Sequence, residues 1–285
     1  MLAPAELRLL GRLDLAYRRP QHGLYAGERR SPHSARSPEF ADFRAYVPGD
    51  DYRQIDWKAY ARLEKLTLRQ YVAEEEACLN LVLDDSRSMT LGQPDKWTAA
   101  RRVAAALAFI GLRAMDRVLV GTLGGRRQAP CRGREAVPRT WSFLLSLEAT
   151  AASGPAEITR LGWLRPGLTV VISDCLHEGG DWAAPLAGLR ARRQEPVLWQ
   201  VLAAEEETPA LLGDVKLVDV ESDRGRELTV TQALLDDYGR ALDRHREALT
   251  RAGRAAGGRF LHTTSGDDLD TAMASGLRAG VLRRG

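Results

Sequence analysis

The chain has 285 residues, 44% of them hydrophobic and 28% charged, with a formal net charge of +3. This composition is typical of a soluble globular protein, and the length predicts one large domain with an extension. The small net charge argues against a protein that binds nucleic acid over its whole surface. Cys78, Cys131 and Cys175 are far apart in sequence and form no C-x-x-C pair. A zinc site or disulfide framework is therefore not expected, and a cytoplasmic location is favoured.

The N-terminal part, residues 1–75, is predicted to be an extension that precedes the main domain. Residues 4–17 have helical periodicity, whereas residues 18–38 are rich in Arg, Pro, Gly and Ser and predict an irregular arm. That arm is either a solvated segment or a basic docking strip for an acidic partner or a phosphate. The N-terminus does not resemble a signal peptide, and the longest apolar run, at 103–112, is too short to span a bilayer.

A turn, a short helix and a strand are predicted at the end of this extension. Proline and glycine at 48–49 predict the turn, and Asp50 or Asp51 can cap a helix that runs through Trp57. The alternation of apolar and polar residues at 66–75 predicts the strand.

From residue 76 onward, strands and helices alternate. The predicted strands are 78–84, 117–123, a short polar strand near 127–131, 168–174, 196–204 and 259–264, with a hairpin at 215–231. The predicted helices are 96–115, 135–149, 156–163, 182–193, 232–256 and one that closes the chain. This alternation predicts one α/β domain, residues 76–285, with a mostly parallel, doubly wound sheet between two layers of helices.

Two of the apolar strands end in acidic residues that are candidates for a metal site. "LVLDDS" ends at Asp84, with Ser86 and Ser88 at alternate positions after it, and "VVISD" ends at Asp174. Open parallel sheets bind ligands beyond the carboxyl ends of their strands, so these side chains can meet. Carboxylate and hydroxyl oxygens suit Mg²⁺ or Mn²⁺. The alternative is a polar turn in which Asp84 and Ser86 bond the loop while Asp95 caps the next helix.

The segment from residue 39 to residue 89 carries a resemblance to a known family. "YVPGDDYRQIDWKAYAR", from Tyr46 to Arg62, is followed by "LVLDDSRSM" and later by "VVISD". This series resembles the bacterial domain-of-unknown-function family fifty-eight, whose members carry a von Willebrand factor A-like domain. The resemblance implies a three-layer α/β fold and a metal-ion-dependent adhesion site. It also implies a partnership with a MoxR-type AAA+ ATPase in assembling or maturing other proteins.

Under this resemblance, Asp84, Ser86 and Ser88 match the first metal motif and Asp174 matches the last carboxylate. The family also uses a threonine hydroxyl before the "VVISD" strand, and here Pro155-Ala156 stands in its place. Thr150 and Thr159 are displaced from that position, and Glu157 offers a carboxylate instead. The adhesion site is therefore expected to be degenerate, and its occupancy by Mg²⁺ or Mn²⁺ is open.

The signature run of the extension has two interpretations that are compatible with each other. In the structural one, Asp56 pairs with Arg53 or Lys58, and Trp57 is buried. In the functional one, the run is a docking surface for a partner, with arginine side chains that bind a carboxylate or phosphate. The candidate interaction residues are Asp50, Asp51, Arg53, Asp56, Trp57 and Arg62.

The sequence favours a non-enzymatic interaction module in which a metal ion accepts an acidic residue of a protein partner. The alternative is a Mg-dependent enzyme that performs phosphoryl transfer or hydrolysis with the strand-end aspartates. Ser86 stands where an aspartate-nucleophile phosphatase has its second Asp, and no P-loop, G-x-S-x-G or H-E-x-x-H motif occurs. His177 and Cys175 follow Asp174 closely; the sequence favours polar surface for the histidine and packing for the cysteine.

Overall fold

In the computed structural model, the chain forms two units. The larger comprises Met1–Tyr17 with Ala77–Gly285, and the smaller is Arg18–Glu76. The residues that the structure describes are 2–16, 40–47, 50, 52, 55–71, 77–151, 153–177, 179–220 and 225–285.

A five-stranded sheet in the order β10-β7-β6-β4-β5 forms the centre of the larger unit, and all neighbouring strands are parallel. Its residues come from the apolar runs of the sequence, as expected for strands covered on both faces. The strands are β4 (Cys78–Leu83), β5 (Arg117–Thr122), β6 (Gly167–Ser173), β7 (Gln194–Leu202) and β10 (Arg259–Thr264).

Helices cover both faces of this sheet, so the predicted three-layer α/β fold is confirmed. Leu79, Leu81 and Leu83 of β4 belong to one buried cluster, and Cys78 and Val82 belong to the other. Successive side chains of β4 point to opposite faces of the sheet, so the strand contributes to two buried clusters. The helices of this unit are α1 (Pro4–Leu10), α3 (Lys96–Arg113), α4 (Val137–Leu145), α5 (Ala183–Ala191), α6 (Ala204–Glu207), α7 (Gln232–Ala255) and α8 (Leu269–Arg278).

The N-terminal segment belongs to the larger unit and not to the extension in which the sequence placed it. The helix predicted over residues 4–17 ends at Leu10, and β1 (Leu13–Leu15) then pairs antiparallel with β11 (Leu282–Arg284). Leu10, Leu13 and Leu15 are buried in the same core as the strands. The two ends of the chain are too distant in sequence for local periodicity to have predicted this pairing.

Two shorter elements also differ from their predictions. Residues 127–131 form isolated bridges from Arg127 to Gly121 and from Cys131 to Val118 instead of a strand. The helix predicted at 156–163 is a 3₁₀ helix, Pro155–Arg160. The predicted hairpin is present as β8 (Gly213–Val218) and β9 (Gly225–Val230).

The smaller unit contains a two-stranded antiparallel sheet of β2 (Phe40–Ala45) and β3 (Thr67–Tyr71), with α2 (Trp57–Leu63) between them in sequence. The short helix predicted from Asp50 or Asp51 through Trp57 falls partly outside the described residues, which lack 51, 53 and 54. The described helix begins at Trp57, where Asp56 accepts hydrogen bonds from the backbone N–H groups of Lys58 and Ala59. A carboxylate at this position satisfies N–H groups that the first helical turn leaves free.

Candidate functional site

The site lies where the sheet order reverses, at the carboxyl ends of β4 and β6. The chain passes from β4 to β5 on one side and then crosses to β6 on the other. Asp84 follows β4 and Asp174 follows β6. Such a reversal opens a crevice at the strand ends, because the two connections diverge from it. The structure therefore brings together the two carboxylates that the sequence singled out.

Asp84 is completely buried and is held by neutral donors. Its Oδ1 accepts a hydrogen bond from the backbone N–H of Ser86 at 3.0 Å, and its Oδ2 accepts one from the Ser173 hydroxyl at 2.5 Å. Burial, and secondarily the charge of Asp174, raise the pKa of Asp84 above its ordinary value. This carboxylate is therefore in an environment that opposes its negative charge.

Ser86 and Ser88 lie at the turn that follows Asp84, and their Oγ atoms are 3.1 Å apart. Neighbouring ligands of an octahedral Mg²⁺ lie about 3.0 Å apart when each is about 2.1 Å from the ion. The two hydroxyls thus have nearly the spacing of adjacent metal ligands. Ser86 is buried and Ser88 is partly exposed, so one side of the pair reaches the surface.

Asp174 is bound by a lysine that sequence reasoning missed. The Nζ atom of Lys96, the first residue of α3, lies 2.7 Å from Oδ2 of Asp174 and 2.6 Å from Oε1 of Glu206. Burial opposes the charge of Asp174, but the ammonium outweighs it and lowers the pKa of Asp174. Burial likewise opposes the charge of Lys96, and the two carboxylates outweigh it and raise the pKa of the lysine.

His177 lies in the cluster and not on the polar surface that the sequence favoured. Its Nε2 is 2.8 Å from the carbonyl oxygen of Ser153 and 3.6 Å from Oδ2 of Asp84. Because a carbonyl oxygen only accepts, Nε2 is the protonated nitrogen in this contact. Asp84, Asp174 and His177 each offer one ligand atom within 4.8 Å of the others.

The loop that was expected to supply a threonine lies beside the cluster but turns its side chains elsewhere. The Ser153 hydroxyl donates to Oδ1 of Asp85 at 3.1 Å, and the Gly124 amide donates to the same oxygen at 2.8 Å. Glu157, the predicted replacement ligand, pairs with Arg160. Asp85 was not a sequence candidate, although its position directly after Asp84 was a signal that it shares the site.

Cys175 adopts a left-handed backbone conformation, with φ of 61°, immediately after Asp174, and is buried as predicted. Burial, and then the charges of Asp174 and Asp84, raise the pKa of the Cys175 thiol well above its ordinary value. Since the thiolate is the reactive form, the thiol is expected to be inert in the folded protein.

We expect Cys175 to react with iodoacetamide only after unfolding, because the folded protein both excludes the reagent and disfavours the thiolate. Mass spectrometry of peptides after labelling, with and without urea, measures this. Labelling of Cys175 in the folded protein at the rate found in urea would contradict the assignment of a buried, inert thiol.

The candidate interaction residues of the smaller unit have mostly local roles. Asp51 and Arg53 lie outside the described residues. Asp50 accepts a hydrogen bond from the Val47 amide, and Asp56 caps α2. Trp57 is 58% exposed and contacts Tyr60 edge to face, so the expected burial of this tryptophan is not found.

Arg62 is exposed on the same helix as Trp57 and Tyr60. The docking surface proposed for this segment remains a prediction. Among the described residues, no helix combines the length and apolar character needed to cross a bilayer.

The chain matches the family described as "Protein of unknown function DUF58" over residues 42–248. The chain belongs to this family. Two relatives are the uncharacterized proteins Mb1516 of Mycobacterium bovis and Rv1480 of Mycobacterium tuberculosis. Each is 30% identical to this protein over 263 residues, which covers 87% of this chain and 81% of the relative.

Solved structures similar to this family member include von Willebrand factor A domains. The hypothetical protein BatB from Bacteroides thetaiotaomicron is 14% identical, with a TM-score of 0.44, and the alignment covers 72% of this chain and 98% of BatB. The SpRpn10 VWA domain is 10% identical, with a TM-score of 0.41, covering 70% and 94% of the two chains. TM-scores this low do not assign a function to the chain.

Proposed function

We propose that this family member is a non-enzymatic protein-interaction module of the cytoplasm that contacts its partner through the turn carrying Ser86 and Ser88. The observation that carries the proposal is the pair of hydroxyls 3.1 Å apart beside the buried Asp84. Ser88 is partly exposed at this turn. A partner can therefore approach the turn at Ser88, while Ser86 and the carboxylates stay buried.

The donor set of Asp84, Ser86 and Ser88 fits Mg²⁺ or Mn²⁺. These ions prefer hard oxygen ligands, and Asp84 is a buried carboxylate whose partners among the described residues are neutral donors and a histidine at 3.6 Å. A carboxylate oxygen of Asp174 lies within 4.8 Å of one of Asp84. A bound ion would offset the unfavourable burial of Asp84 and would attract an acidic residue of the partner. Because the threonine of the family motif is missing, the hydroxyl ligands proposed for the ion are those of Ser86 and Ser88.

The proposed partner is a MoxR-type AAA+ ATPase, with which the protein would assemble or mature other proteins. Membership of the family supports this part of the proposal, because such an ATPase is the partner that the sequence resemblance implies. In this arrangement the ATPase supplies mechanical work, and the present protein recognises a carboxylate on its partner.

The burial of the carboxylates argues against the alternative of phosphoryl transfer or hydrolysis. Asp84 is engaged by Ser86 and Ser173, and Asp174 is engaged by Lys96 and the Leu176 amide. Both carboxylates are also buried, so neither is exposed to a substrate or to bulk water.

The test is binding of the purified MoxR-type ATPase of the same organism, measured by biolayer interferometry in Mg²⁺ and in EDTA. Ser86→Ala with Ser88→Ala is expected to weaken binding at least about tenfold, since it removes both hydroxyls at the contact. Thr90→Ala is the matched control, because the Thr90 hydroxyl lies in the same turn but donates to the carbonyl of Arg87.

Equal binding by the double variant, Thr90→Ala and the wild type would overturn the proposed contact. Binding that survives EDTA but is lost in the double variant would retain the contact and remove the ion from it. Turnover of a phosphate ester that Asp84→Asn abolishes would favour the enzyme instead.

A further inference from the structure

The two strand-end aspartates differ in what compensates their charge. Both oxygens of Asp174 are engaged: Oδ1 accepts from the Leu176 amide at 3.1 Å, and Oδ2 lies 2.7 Å from the Lys96 ammonium. Asp84 has neutral donors on both oxygens, and the basic group beside it is His177. Asp174 is thus paired with a full positive charge, whereas Asp84 is not.

Burial and contacts with two carboxylates hold the Lys96 side chain beside Asp174. It is the first residue of α3, whose N-cap is Asp95, and its side chain is completely buried. Glu206 accepts from the same ammonium at 2.6 Å and is itself held in α6, where its backbone carbonyl accepts from the Tyr238 hydroxyl. The ammonium therefore has two carboxylate partners from two different elements, and withdrawing it would leave both buried or half-buried charges without compensation.

We propose that Lys96 is the resident counter-ion of Asp174, and that it withholds this carboxylate from a divalent cation bound at Asp84, Ser86 and Ser88. This inference rests on the cation site of the proposed function. The cation is then coordinated by the carboxylate of Asp84 and not by that of Asp174, whose two oxygens stay with Lys96 and Leu176. Its affinity in the free protein is weak, and a carboxylate of the partner supplies the ligand oxygen that Asp174 does not. Cation and acidic partner therefore bind together.

The first test is the affinity of Mn²⁺ for the full chain, measured by titration calorimetry. Asp84→Asn is expected to weaken Mn²⁺ binding at least about tenfold. Asp174→Asn combined with Lys96→Met removes one negative and one positive charge, so the net charge beside the site is unchanged and Mn²⁺ binding is expected to weaken by less than about threefold. An equal, large loss in both variants would overturn the inference, since Asp174 would then contribute to the cation site.

The second test releases Asp174 from its counter-ion. Lys96→Met combined with Glu206→Gln leaves Asp174 without its counter-ion, and Mn²⁺ is expected to bind this variant at least about tenfold more tightly than the wild type. Adding Asp174→Asn is the matched control and should return the affinity to the wild-type value or below. Unchanged affinity in the double variant overturns the inference.

The Mn²⁺ titrations and the ATPase-binding experiment can fail separately. If Mn²⁺ binds neither the wild type nor the released variant, the counter-ion inference fails. ATPase binding in EDTA is then compared between the wild type and the variant with Ser86→Ala and Ser88→Ala. That comparison still decides whether the turn contacts the partner.

Discussion

Lys96→Met is expected to lower the free energy of unfolding by about 3–5 kcal/mol near neutral pH, the cost of removing one partner from a buried ion pair. The substitution leaves Asp174 buried with its charge uncompensated and removes the link to Glu206. Methionine approximates the shape of the lysine stem, so the loss reports the charge and not a large cavity. Urea unfolding followed by circular dichroism measures it.

Two controls separate this electrostatic effect from packing. The triple variant Lys96→Met, Asp174→Asn and Glu206→Gln removes all three charges and should recover most of the loss, because a neutral cluster carries no uncompensated charge. Lys216→Met alters an exposed lysine of β8 and should leave the unfolding free energy nearly unchanged. A Lys96→Met variant as stable as the wild type would show that Asp174 does not depend on the ammonium.

The second large effect is expected at Asp85. Asp85→Ala should lower the free energy of unfolding by about 2–4 kcal/mol, because it leaves the Gly124 N–H and the buried Ser153 hydroxyl without their acceptor. Both groups donate to Oδ1 of Asp85, and this carboxylate therefore joins the loop after β5 to the loop beside His177.

Asp85→Asn is the matched control, since its amide oxygen can accept from both donors, and it should retain most of the stability. Hydrogen exchange adds a local readout: the Gly124 amide should exchange faster in the alanine variant than in the asparagine variant. Equal protection of that amide in both variants would show that Asp85 does not hold the loop.

These two residues give the site its division of roles. Asp85 binds the loops around the cluster, and Lys96 compensates the charge of Asp174. In the function proposed above, Asp84 with Ser86 and Ser88 would bind the cation and the partner.

The sequence by itself determined the sheet and the position of its polar ends. Buried parallel strands appear as apolar runs, and the residue that follows each run lies at the strand's carboxyl end, so the sequence alone places Asp84 and Asp174 at one edge of the sheet. Apolar runs are local patterns, and the burial of both faces of the sheet enforces them. The extended alternation predicted for Ser86 and Ser88 does not hold, because Arg87–Thr90 form a 3₁₀ helix, which places the two hydroxyls 3.1 Å apart.

Only the tertiary structure decided what surrounds those carboxylates. Lys96 has the sequence context of an ordinary solvated lysine at a helix start, and it meets Asp174 and Glu206 across 78 and 110 residues of chain. The pairing of β1 with β11 joins the two ends of the chain in the same way. Such contacts depend on the order in which strands enter the sheet, and no local periodicity encodes that order. Charge compensation at the site is therefore a property of the fold.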